Sequence, residues 1–191
     1  MDSALEFQRY GRNKSTLINH TYIKSGEYRK KFDRLTDNVK LNRLMYSKAK
    51  EMLEHRSGTK YEDMCWFDSE KAELIAQEMN SIEEEQILYS DSINKAIYSH
   101  SHIIAMHTHP CSMPPSIADF NSCNEHNYEL GLVLCHDGKI YCYRSSENIS
   151  KTMYNLYVAD YYNQSHDEYM AQINALKELV EIYDIELWEV E

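Results

Sequence analysis

A chain of 191 residues with 42% hydrophobic content can bury one proper core, and no apolar run in it approaches the roughly 18 residues that a membrane-spanning helix needs. The net charge of −11 is unevenly spread: residues 1–43 hold ten Lys/Arg against five Asp/Glu, leaving −16 on the remainder, an acidic body that argues against nucleic acid as the main substrate. Five cysteines with no Cys-x-x-Cys pair support neither a disulfide framework nor a zinc knuckle; Met1 to Glu6 lack the basic and apolar regions of a signal peptide, so a reduced, cytoplasmic setting is expected.

In chain order, residues 1–36 read as a basic N-terminal extension whose Arg29-Lys30-Lys31 and Arg34 form a solvated surface. Val39 to His55 predicts a helix, with Leu41, Leu44, Met45, Ala49, Met52 and Leu53 on one stripe and Ser57-Gly58 ending it. Met64 to Phe67 reads as a strand. A second strand is expected between Lys71 and Ser90, where Ala-Glu-Leu-Ile-Ala-Gln is ambiguous between helix and strand. Asp91 to His100 reads as a short helix capped by Asp91 or Ser92. The apolar run His102 to Met106 predicts a strand that continues to Pro110. Leu130 to Cys135 and Ile140 to Tyr143 flank His136-Asp137-Gly138-Lys139, a hairpin with an Asp-Gly turn. Asn148 to Tyr162 and His166 to Tyr183 read as helices and Ile185 to Val190 as a last strand. This order fits an α/β sandwich.

Chemistry concentrates in His107-Thr108-His109-Pro110 and Ser116-Ile117-Ala118-Asp119. Residues two apart on a strand point to one face, so both imidazoles can reach one ion, and Pro110 ends the strand because it cannot donate to a ladder. Two nitrogens from His107 and His109 with one oxygen from Asp119, leaving a fourth position for water, is a donor set suited to catalytic zinc. Ser-x-x-Asp alone would read as a helix cap. The adjoining histidines favour the metal. No His-Glu-x-x-His, Gly-x-Ser-x-Gly or phosphate-cradling glycine loop occurs. A cysteine nucleophile at Cys111 would leave Ser116 and Asp119 without a role, while Cys65, Cys135 and Cys142 lie in strand-like runs as core residues.

These residues resemble the JAMM (MPN+) zinc metalloproteases, whose signature is a distant Glu, then His-Ser/Thr-His-Pro, then Ser-x-x-Asp; His55 to Met64 together with the metal loop also resembles small bacterial and phage-borne members. The match comprises His107, Thr108, His109, Pro110, Ser116 and Asp119, with six residues between His109 and Ser116 where the family has seven. The resemblance implies a JAB/MPN-like α/β sandwich, a mixed β-sheet flanked by helices, extending from about Asp37 to Arg144 within a catalytic domain of residues 37–191. It also implies a glutamate opening the first strand. Among many upstream acids Glu62 holds that position, 45 residues before His107, whereas Asp63 points to the other face and Glu83-Glu84-Glu85 reads as a solvated loop.

In such a site His107, His109 and Asp119 hold Zn2+ and lower the pKa of a water toward 7, Glu62 accepts its proton and passes it to the departing amine, and Ser116 donates to the developing oxyanion. The implied activity is that of a zinc-dependent metallopeptidase hydrolysing a peptide or isopeptide bond in a protein substrate, including removal of a ubiquitin-like modifier. A non-catalytic MPN-type scaffold and a RadC-like DNA-associated protein stand as alternatives, the latter opposed by the acidic body, and a homo-oligomer is left open. His100, His102, His126 and His136 are expected outside the site, solvent-facing or hydrogen-bonded.

Overall fold

The computed structural model describes residues 16–191, ordered as α1 (His20–Ile23), α2 (Gly26–Phe32), α3 (Val39–Arg56), β1 (Met64–Asp68), β2 (Glu73–Glu78), α4 (Asp91–Tyr98), β3 (Ile103–His109), α5 (Ile117–Glu125), β4 (Tyr128–Cys135), β5 (Ile140–Ser145), α6 (Lys151–Ser165), α7 (Glu168–Val180) and β6 (Ile185–Glu189). The six strands form one mixed sheet in the order β2-β1-β3-β4-β5-β6, with β3 and β4 parallel and every other neighbouring pair antiparallel. The architecture is therefore α/β. No helix among the described residues is long and apolar enough to cross a membrane.

Strand alternation divides the interior between the two faces of the sheet. Cys65, Phe67, Ile104, Met106, Leu132 and Leu134 pack on one face with Leu41, Met45 and Met52 of α3. Met64, Trp66, Ile103, Ala105, Val133 and Tyr143 pack on the other with Ile93 and Ile97 of α4, Ile117 and Phe120 of α5, and Leu176 and Leu179 of α7. The sequence stripe on α3 is thus the buried stripe, and Gly58 takes the positive φ of 81° that turns the chain after it.

Two elements differ from the sequence reading and a third resolves an ambiguity in it. Residues 16–36 are not a solvated arm: Ile23, Tyr28 and Phe32 are buried in the α3-side core, where a residue such as Phe32 contributes about 1.5–3 kcal/mol over an exposed one. Their basic residues lie on the outer face, which is why charge alone suggested an extension; residues 1–15 of that extension lie outside the described residues. The second strand expected between Lys71 and Ser90 is β2, on the Ala-Glu-Leu-Ile-Ala-Gln stretch, whose ambiguity pairing with β1 resolves by supplying a ladder that local propensity does not encode. Helix α4 is capped by Ser90, whose Oγ accepts from the Ile93 amide at 3.3 Å, rather than by Asp91 or Ser92.

Candidate metal centre

β3 carries His107 and His109 on the α5 side of the sheet, between β1 and β4. At Pro110 the strand stops, and the chain folds back within six residues. Ser112 donates its amide to the His109 carbonyl at 3.0 Å, adopts a positive φ of 57° and sits wholly buried, its Oγ accepting from the Asp137 amide at 3.0 Å. This tight turn delivers the Met113 carbonyl to the His109 ring, whose Nδ1–H donates to it at 3.0 Å. That bond leaves Nε2 directed into the site, the tautomer a metal ligand needs. The shorter loop therefore closes.

Ser116 then starts α5 as its N-cap in a reciprocal capping box: its Oγ accepts from the Asp119 amide at 3.3 Å, and Asp119 Oδ2 accepts from the Ser116 amide at 2.6 Å. The cap and the ligand arrangement coexist. Asp119 Oδ1 lies 3.2 Å from His107 Nε2, Oδ2 lies 3.5 Å from His109 Nε2, and the two Nε2 atoms are 3.0 Å apart. Donors of a tetrahedral zinc at its usual bond lengths stand about 3.3–3.5 Å from one another. The three groups thus gather at nearly that spacing, the two ring nitrogens slightly closer, and their two-nitrogen, one-carboxylate chemistry could hold such a metal. His107 has no counterpart to the Met113 carbonyl, since its Nδ1 is buried without a hydrogen-bond partner among the described residues; Tyr143 packs edge-on against its ring at 6.4 Å between centroids.

Glu62 arrives from β1. The register Met64↔His107 brings Glu62, two residues earlier on the same face, opposite His109. Its Oε1 is 3.9 Å from His109 Nε2, and it is not among the three groups that gather as candidate ligands. Burial at 8% exposure raises its carboxyl pKa, against the pull of His109 and His107 toward ionisation. His109 moves the other way: burial alone would lower it, but the hydrogen bond its ring donates to Asp119 and the charges of Glu62 and Asp119 prevail and push it up to about 9. Asp119 is held well below the usual carboxylate range, burial being outweighed by His107 and His109.

All five residues singled out from sequence therefore lie together. Asp63 faces the opposite way, as alternation requires, and is paired with Arg56 and His55 of α3. The Glu83-Glu84-Glu85 run lies outside the named elements with Glu83 and Glu84 exposed, as expected of a solvated loop, and it is also tied down: Glu84 bridges Tyr61, the Glu85 amide donates to the Lys60 carbonyl at 3.0 Å, and the Cys111 thiol donates to Glu85 at 3.4 Å. Sequence reasoning missed these tethers and the Met113 carbonyl. Backbone acceptors carry no sequence signal. Cys65, Cys135 and Cys142 are buried core residues.

The other histidines are held away from the centre. His136 is buried and its Nδ1–H donates to the Thr16 carbonyl at 2.6 Å; His126 stacks between Tyr89 and Tyr128; His102 pairs with Glu129 and Glu70. A looser group, Asp68, Glu73 and His100, gathers at the far end of β1, where the Lys71 ammonium already lies 3.3 Å from Asp68 and 3.9 Å from Glu73. Comparison of the chain with protein-family models, with curated proteins and with solved structures gives no match.

Proposed function

We propose that the chain is a zinc-dependent metallopeptidase of the JAMM (MPN+) kind, cutting a peptide or isopeptide bond, with a ubiquitin-like conjugate as its substrate class. The observation that carries this reading is the convergence of His107 Nε2, His109 Nε2 and the Asp119 carboxylate within 3.0–3.5 Å, with Glu62 standing 3.9 Å from His109. A helix cap explains Ser116 and Asp119 but requires neither two converging imidazoles nor a buried acid beside them. The strand order around β3, with α3 and α5 on opposite faces, supports an MPN-like sandwich.

His107, His109 and Asp119 would hold the ion, and zinc bound there would supply Lewis acidity and acidify water toward a pKa of about 7. Glu62 accepts a proton from the attacking water as its oxygen bonds to the scissile carbonyl carbon. The same carboxyl then delivers that proton to the amine nitrogen as the C–N bond breaks. Ser116 is half-exposed and its oxygen already accepts the Asp119 amide, which leaves its hydrogen free to donate to the carbonyl oxygen as that atom becomes anionic. Burial of Glu62 and the histidines excludes bulk water from these transfers.

The test is elemental analysis of the purified chain together with a panel of ubiquitin-like modifiers bearing a C-terminal fluorogenic amide, assayed with and without chelator. Zinc bound to wild type and absent from His109→Ala, with chelator-sensitive cleavage, is the expected result. A chain without metal, or one whose metal survives His109→Ala, would overturn the proposal.

A further inference from the structure

We infer that Asp63 and Thr108 form a positioning pair that sets Glu62 against the ligand strand, an inference that rests on the reading of Glu62 as the base. The β1–β3 ladder is regular as far as Met64↔His107. One residue further, Thr108 donates its amide to the Asp63 carbonyl at 3.0 Å, as an antiparallel ladder would. The reciprocal bond is different: the Asp63 amide donates to the Thr108 hydroxyl, also at 3.0 Å, and not to a backbone carbonyl. The peptide that follows Glu62 is thus held by the side chain standing between the two candidate ligands.

Both residues are fully buried on the α3 face, so neither touches substrate. Asp63 is also gripped from the helix. Arg56 Nε donates to Asp63 Oδ1 while its Nη2 donates to the Met79 carbonyl at 2.8 Å, and His55 Nδ1 lies 2.8 Å from Oδ2. The rigid guanidinium fork spans two acceptors that a lysine could not reach together. Residue 63 is therefore restrained through backbone and side chain by β3 and by the last turn of α3. Glu62 has left the regular ladder, and these restraints determine its 3.9 Å approach to His109. A catalytic group displaced by about 1 Å loses up to about a hundredfold in rate, so restraints at this distance carry weight without contact with the reacting atoms.

The experiment uses the full zinc-loaded chain and the fluorogenic modifier panel. Thr108→Val keeps the shape and branching but removes the hydroxyl; Thr108→Ser keeps the hydroxyl. Thr108→Val is expected to lower kcat about tenfold to a hundredfold with KM and zinc content unchanged and with faster amide hydrogen exchange at Asp63, and Thr108→Ser to recover most of the rate. Arg56→Lys, judged by the same pattern, decides the question should Thr108→Val not fold. Wild-type kcat and exchange in Thr108→Val, or loss of zinc in parallel with rate, overturns the positioning role while the base reading stands. A wild type that cleaves no conjugate, or a Glu62→Gln chain as fast as wild type, overturns the base reading and this inference with it.

Discussion

His109 and Asp119 face each other at 3.5 Å, Nε2 to Oδ2, and their environment favours a proton on the ring and a charge on the carboxylate. On the reading of His109 as a zinc ligand, its ring nitrogen has to give up that proton before it can bind the metal. Because His109 is raised from 6.5 to about 9, its pairing stabilises the metal-free fold fully below about pH 6.5 and the contribution is lost as pH rises through about 9. Zinc has the opposite dependence. Its binding must release this proton, so affinity is expected to climb about tenfold per pH unit across this range and level off above it. Calorimetry at pH 7 in buffers of different ionisation enthalpy reads the released proton directly, and an affinity independent of pH would contradict the pairing.

Glu62→Gln keeps the size of the side chain and removes its basicity. Proton transfer by a positioned group contributes about 10²- to 10⁴-fold, and a loss of that size in kcat is expected with zinc content and thermal midpoint retained. Burial raises the Glu62 carboxyl above the ordinary glutamate range, so in wild type the acid limb of the rate profile should lie above that range. A profile whose acid limb is the same in Glu62→Gln would assign it to another group.

The local parts of the site were legible because each rests on a short-range rule. Alternation along β3 is enough to bring His107 and His109 to one face, and Ser116 three residues before Asp119 marks the start of α5. Glu62 was found only through the resemblance, since its neighbourhood depends on the antiparallel register of β1 with β3, which no local pattern encodes. Tyr28 and Phe32 were read as part of an extension for the same reason: the basic residues of α2 are visible in sequence, whereas the partners of its apolar face, Tyr46 on α3 among them, lie outside any local pattern.

Ser116→Ala separates two roles of one hydroxyl. Loss of the N-cap is expected to cost about 1 kcal/mol, a fall of about 2–4 °C in thermal midpoint for a chain of this size. Loss of the oxyanion donor is expected to lower kcat by about 10²–10³-fold with zinc retained. Thermal unfolding and steady-state kinetics on the same preparation give both numbers. A fall in midpoint without a fall in kcat would leave Ser116 as a cap alone.

Gly131 on β4 opposes Tyr143 on β5, and a Cβ at residue 131 would stand 2.1 Å from the tyrosine ring. That ring is buried, with the Phe120 ring 5.2 Å and the His107 ring 6.4 Å from it, so moving aside would disturb packed neighbours. Gly131→Ala is therefore expected to destabilise the fold by about 1–3 kcal/mol through overpacking. Because the displaced ring supports His107, weaker zinc binding should accompany the loss. Gly26 provides the control: nothing lies within 4 Å of its Cβ position at the start of α2, and Gly26→Ala is expected to be neutral or to stabilise by up to about 1 kcal/mol. Chemical denaturation of both variants, with zinc titration of each, tests the pair. Equal stability and equal zinc affinity in Gly131→Ala would mean that Tyr143 can move and that His107 does not depend on it.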